Sequence, residues 1–187
     1  MLFPALETLV LEGMDNLVEW TEPTAEMGMI FPRLKKLKVW ECEELTSAPR
    51  HFPSIKKLII YRITGLAFEK IISELTTLTS IQIQKVSELA CLPQHFLPKN
   101  TSLMDLNIWY CADLESILPH EHVWPICTSL RSLSIYGCDQ LSTLPDALHN
   151  LHCLEDIEVY RCHNLRSFPS IQGIASLASS TLADILW

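Results

Sequence analysis

Seven cysteines and seven histidines are the residues of this 187-residue chain best suited to chemistry. A thiolate serves as nucleophile or metal ligand where neighbours lower its pKa and solvent reaches it, and imidazoles join thiols around zinc where four ligands converge at about 2.0 to 2.3 Å. Two clusters invite that comparison: His120, Glu121 and His122, and the set His149, His152, Cys153, Cys162 and His163. In the first, residues two apart need not converge and no third ligand is specified. In the second, Cys162 points inward in the repeat described below while His163 begins a turn, so no metal site is expected. The nucleophile-elbow, metalloprotease and phosphate-loop motifs are all missing, and the five glycines, at 13, 28, 65, 137 and 173, are too dispersed to cradle a phosphate. No catalytic residue, cofactor or small-molecule substrate is assigned, and the chain is not expected to be an enzyme.

The thiols acquire a different meaning from their surroundings. Leu130, Leu133, Ile135, Cys138, Leu141 and Leu144 precede Pro145, and the same frame returns as Leu154, Ile157, Val159, Cys162, Leu165 and Phe168 before Pro169. Upstream it reads Leu103, Leu106, Ile108, Cys111, Leu114 and Ile117, with Pro119 displaced by one residue. Three further copies open at Leu78, Ile55 and Leu34, and a first at Leu6; the copy from Ile55 runs through Leu58, Ile60, Ile63 and Leu66 and lacks the proline. Openings at 6, 34, 55, 78, 103, 130 and 154 lie 28, 21, 23, 25, 27 and 24 residues apart, the period of leucine-rich repeats.

This frame predicts an α/β fold: a right-handed solenoid with a parallel sheet on its concave face and irregular or short helical return segments on the convex one. One unit cannot bury its apolar face alone, whereas stacked units pair in parallel and share a continuous core. Residues 1–187 form a single domain of about seven repeats plus a partial eighth, which Leu182, Ile185 and Trp187 would open. Met14, Cys42, Ile63, Val86, Cys111, Cys138 and Cys162 then make one inward column. Its occupants share modest size and low polarity, so packing rather than chemistry explains the cysteines.

Composition narrows the function classes. A net charge of −8 argues against a phosphate-binding surface for nucleic acid, and no apolar run approaches the roughly eighteen residues of a membrane span. Seven cysteines, an odd total with four of them in the inward column, fit a reducing cytoplasm or nucleus better than a secreted disulfide framework. The N-x-S/T triplet at Asn100–Ser102 is discounted as a glycosylation signal.

The residues left free by the repeat are the ones that project from the concave face. Two residues before the inward column stand Glu12, Trp40, Tyr61, Gln84, Trp109, Tyr136 and Tyr160, five of seven being aromatic, and Arg62, Lys85, Tyr110 and Arg161 follow directly after. Earlier strand positions carry Lys36, Lys38 and Lys57 at one end of the array and Asp105, Asp156 and Glu158 at the other. Aromatics with arginine beside them have the composition of interface hot spots, so Trp40, Tyr61, Arg62, Trp109, Tyr110, Tyr136, Tyr160 and Arg161 are the candidate partner-binding residues. The same rings could instead stack between strands and stabilise the ladder alone.

With "LKKLKVWECEELTSAP", "LMDLNIWYCADLESILP", "LRSLSIYGCDQLSTLP" and "LEDIEVYRCHNLRSFP" in view, the chain resembles the C-terminal leucine-rich-repeat region of plant intracellular nucleotide-binding leucine-rich-repeat disease-resistance proteins. The resemblance covers nearly all of residues 3 to 169. It implies a recognition and autoinhibitory module of an immune receptor, acting by protein contact. Its partner would be a pathogen effector, a guarded host protein or the receptor's own nucleotide-binding module, with Lys36, Lys38 and Lys57 as candidate intramolecular contacts. The phosphate-binding loop and signalling domains of that family are missing here, and no capping element precedes the first repeat, so a piece of a larger protein or a truncated product is expected. The substrate-recruiting solenoid of a ubiquitin-ligase receptor shares the architecture and is the alternative.

Overall fold

The computed structural model describes residues 3–21, 30–118, 129–145, 148 and 151–168, and the backbone of 179–181. Each repeat contributes one short strand: β1 (Thr8–Glu12), β2 (Lys36–Trp40), β3 (Lys57–Tyr61), β4 (Ser80–Gln84), β5 (Asp105–Trp109), β6 (Ser132–Tyr136) and β7 (Asp156–Tyr160). They pair in parallel and in sequence order, with equivalent repeat positions opposite one another: Lys36 meets Lys57, Ile60 meets Ile83 and Trp109 meets Tyr136. The structure is therefore the expected leucine-rich-repeat solenoid. A final strand, β8 (Ser179–Thr181), pairs with β7 and starts ahead of the expected opening at Leu182. Residues 182–187 lie outside the described residues.

Alternation explains the layering. The second and fourth residues of each strand point into the solenoid, and from β2 onward they are buried aliphatics such as Leu37 and Val39, Leu106 and Ile108, Leu133 and Ile135. The opening residues Leu34, Ile55, Leu78, Leu103, Leu130 and Leu154 are fully buried beside them. At about 25 cal/mol per Å² of apolar surface, this unbroken stack is the main favourable term in folding. The first repeat is incomplete in that sense: Leu6, Leu9, Leu11 and Leu17 are only partly buried, because β1 has a neighbour on one side alone.

Two residues of the expected inward frame do not face inward. Met14 is 40% exposed for the same edge reason, although the rest of its column is buried or, at Cys162, partly so. Leu66 is 50% exposed because the third repeat replaces the extended return segment by a helix, α1 (Gly65–Ile72), whose Ala67, Phe68, Ile71 and Ile72 fill the interior instead. Thr64 caps it by accepting from the Ala67 amide, a role Thr fills well. Glycine is needed at 65, since a Cβ there would lie 2.9 Å from the Glu88 carbonyl oxygen.

Elsewhere the return arm opens with a second, shorter parallel ladder. Bridges join Glu19 to Ser47, Ser116 to Thr143 and Thr143 to Ser167, just past the Leu17, Leu45, Leu114, Leu141 and Leu165 positions. A further set of residues, three before the opening leucine, lines the underside. Phe31 and Phe52 stack there at 6.0 Å, with Phe3 on Phe31 at 5.8 Å. In the fifth repeat this position is Asn100, fully buried. Its Oδ1 accepts from the Leu78 amide at 3.2 Å while its Nδ2 donates to the carbonyls of Leu75 at 2.8 Å and Phe96 at 2.9 Å, beside the short helix α2 (Phe96–Lys99). A side chain so enclosed is no glycan acceptor, in keeping with the discounted triplet.

Asn100→Ala leaves the Leu78 amide and the Leu75 carbonyl without their side-chain partner in the interior, while the Phe96 carbonyl keeps the Asn100 backbone amide, a loss of about 2 to 4 kcal/mol. Urea denaturation is expected to show a lower midpoint with an unchanged slope. An unaltered midpoint would contradict the role given to Asn100.

Candidate protein-recognition face

The first, third and fifth residues of every strand project from the sheet's outer face. The fifth positions hold the aromatic series, and the structure divides it. Trp40 and Tyr61 pack at 4.3 Å between ring centroids, and Tyr136 contacts Tyr160 at 6.4 Å and Tyr110, edge-on, at 4.9 Å. Gln84 separates the two groups, and Lys85 bridges them, its ammonium 5.5 Å from the Tyr61 ring and 5.9 Å from the Tyr110 ring. Trp109 turns its indole N–H to Ser134 Oγ at 3.2 Å. Lys38 lies 4.0 Å over Trp40, and Arg161 lies 5.6 Å over Tyr136. The ring faces are thus partly occupied by the protein's own cations, each such contact worth about 0.5 to 1 kcal/mol at exposed sites.

The residue after each strand explains this arrangement and was not foreseen as a class. Gly13, Glu41, Arg62, Lys85, Tyr110, Gly137 and Arg161 all have φ between 50° and 65°, so every one of the seven repeats turns through the left-handed region at the same step. For the five that are not glycine this conformation costs about 1 kcal/mol or more each. The step is held because the amide at the corner extends the ladder: Glu41 donates to the Tyr61 carbonyl at 2.8 Å, Lys85 to Trp109 at 3.0 Å and Gly137 to Tyr160 at 2.9 Å. Gly13 and Gly137, two of only five glycines and both at this position, were the available signal.

The column residue that follows turns inside. Cys42, Cys111, Cys138 and Cys162 each direct Sγ at the carbonyl of the aromatic two residues earlier, at 3.5 to 3.7 Å. Burial raises the pKa of Cys42 and pushes Cys111 up to about 11. A hydrogen bond to Cys162, with burial, raises Cys138, and the same bond lowers Cys162. Three of the four thiols are buried and all four are free, which suits packing. Of the second His/Cys set, Cys162 belongs to this column, whereas exposed His163 places Nδ1 2.7 Å from Asp139 Oδ1. His120, Glu121, His122 and His149 lie outside the described residues.

Charges on the face follow the predicted polarity. Lys36 and Lys57 are adjacent on β2 and β3, and Asp105 and Asp156 flank Ser132 across β5, β6 and β7. Lys38 is shared between Trp40 and Glu12, whose Oε2 lies 3.5 Å away. Arg62 is engaged within the molecule by Glu41 at 3.2 Å and Glu43 at 2.5 Å. Of the eight candidate partner-binding residues, Tyr110, Arg62 and Arg161 are the exposed ones, and the other rings are half-buried.

No protein-family model matches the chain. Over 166 residues, 88% of its length, it is 31% identical to an RPP13-like disease-resistance protein of Arabidopsis thaliana. Over 167 residues, 87% of its length, it is 28% identical to the disease-resistance protein RPP4 of the same plant. It spans only 16% and 14% of those two relatives. Among the described residues, no helix is long and apolar enough to cross a membrane.

Tyr110 lies where a Cβ on Gly137 would come within 2.8 Å of its Cδ1. Gly137→Ala is therefore expected to displace the Tyr110 ring from Tyr136, alter the near-ultraviolet tyrosine dichroism and lower stability by about 1 to 2 kcal/mol through the left-handed backbone. An unchanged aromatic spectrum would contradict this packing.

Proposed function

We propose, on the premise that this chain is the same kind of leucine-rich-repeat region as in the plant disease-resistance proteins it matches, that it is a non-catalytic recognition and autoinhibitory module of an immune receptor. It acts by protein contact on the concave face, in the cytoplasm or nucleus. The partner is a pathogen effector, a guarded host protein or the receptor's own nucleotide-binding module. The carrying observation is the in-register column of Trp109, Tyr136 and Tyr160, with the Tyr110 ring at the corner edge-on against Tyr136. Rigid aromatics give large contact area with little loss of conformational freedom on binding, which is why they anchor interfaces. The cations over Trp40, Tyr61 and Tyr136 favour the ladder-stabilising role as well, and the two roles are compatible.

The double variant Trp109→Ala/Tyr136→Ala is expected to weaken capture of the cognate protein by at least about tenfold, as anchor removal does. Its far-ultraviolet dichroism is expected to match that of the parent and its melting temperature to fall only by what the lost ring and cation contacts are worth, the chain staying folded at the temperature of the binding measurement. Parallel loss of binding and fold would contradict a recognition role for these two rings.

A further inference from the structure

Three cysteines occupy the inward column in consecutive repeats, Cys111, Cys138 and Cys162, while Ile63 and Val86 separate them from Cys42. Between the sixth and seventh repeats the ladder sets Tyr136 opposite Tyr160 and continues with the Gly137 amide on the Tyr160 carbonyl at 2.9 Å, so strand spacing is kept up to the residue before Cys138. That spacing, about 4.8 Å, lies inside the Cα separation of roughly 4.4 to 6.8 Å that a disulfide spans. Cys138 and Cys162 direct Sγ at the carbonyl two residues earlier, at 3.7 and 3.5 Å, so both sulfurs leave the backbone in the same way. A hydrogen bond joins the two thiols: through it Cys138 holds its proton and Cys162 releases its own more readily than an ordinary thiol. Access separates them as well. Cys111 and Cys138 are fully buried, and burial pushes Cys111 up to about 11, whereas Cys162 is only partly buried. A thiolate that solvent reaches, beside a second thiol that solvent does not, is the arrangement of a redox-sensitive cysteine and its resolving partner.

We propose that Cys162 is a site of oxidation by peroxides, hydrogen peroxide or an organic hydroperoxide, and that Cys138 resolves it by closing a disulfide between the sixth and seventh repeats. In the first step the Cys162 thiolate attacks one peroxide oxygen, the O–O bond breaks, and the other oxygen leaves and takes up a proton, as water when the oxidant is hydrogen peroxide. Cys162 is then a sulfenic acid. In the second step Cys138 Sγ attacks the Cys162 sulfur, the S–O bond breaks, and hydroxide departs with the Cys138 proton as water. Two thiols have lost two electrons and the peroxide has gained them. The bridge lies directly behind Tyr136 and Tyr160, in a register the strands already hold. In a reducing compartment both residues remain thiols and pack like the rest of their column. The chemistry is independent of whether the concave face binds a protein.

The test exposes the whole reduced chain to hydrogen peroxide, alkylates the remaining thiols and maps the chain by non-reducing tryptic mass spectrometry. Cleavage after Arg131, Arg161 and Arg166 places Cys162 in a five-residue peptide and Cys138 in the one before it, and fragmentation distinguishes Cys138 from Cys153 in the latter. The two peptides are expected to be joined through Cys138 and Cys162 within monomeric chains, before Cys42 and Cys111 lose their thiols, and to separate on reduction. Cys138→Ala removes the resolving thiol, so dimedone is expected to trap the Cys162 sulfenic acid at least about tenfold more than in the parent. Cys138 and Cys162 still free after the exposed Cys153 has been oxidised, or Cys162 bridged to any other cysteine, would overturn the inference. Equal dimedone labelling in parent and variant would remove the resolving role of Cys138. Should the variant fail to fold, the peptide map of the parent decides the bridge by itself.

Discussion

The structure depends on one constraint: parallel strands must hold the same register from repeat to repeat. A slip of one residue in any strand would turn its inward aliphatics to solvent and bring its outward lysines, aspartates and aromatics into the core. Burial of pairs such as Leu58 and Ile60 beside Ile81 and Ile83 opposes that slip, and the backbone corner opposes it again at the strand's end. There a residue in the left-handed region supplies one more ladder amide before the chain turns inward to the column residue. The local strain at Glu41, Arg62, Lys85, Tyr110 and Arg161 persists because the two neighbouring repeats over-determine it.

Register converts sequence columns into spatial ones, and that is how the repeats acquire a surface of defined chemistry. Aromatics from consecutive repeats become a wall, and charges of one sign become an end of the face. The corner places Arg62, Lys85, Tyr110 and Arg161 beside the wall, where they pair with its rings or with acids of the adjacent repeat. Much of the wall is therefore pre-organised by contacts within the molecule, which limits how much order a partner must impose.

The solenoid was legible from the period and from inward positions that share size and low polarity, because a repeat writes the same physical demand seven times over. The charge polarity and the aromatic column were legible for the same reason, since alternation alone sends them outward. Departures were not. Leu66 matches the frame in type, yet Thr64 and Gly65 start a helix that turns it to solvent, and a capping threonine followed by a glycine is a weak signal inside a strong pattern. Met14 has the column's chemistry and lacks only a neighbour on its outer side. Asn100 resembles a surface glycosylation triplet, and only the fold shows it hydrogen-bonding to two segments of backbone. The corner was hidden because five of its seven occupants are residues that rarely adopt positive φ.

Residue-resolved hydrogen exchange of the native chain tests the central claim, that the ladder runs through the corner from each of the first six repeats to the next. Amides of Glu41, Arg62, Lys85, Tyr110 and Gly137 are expected to exchange as slowly as those in the adjoining strands, since each donates to the next repeat. Exchange at the rate of open turns at these positions, beside protected strands, would contradict the account.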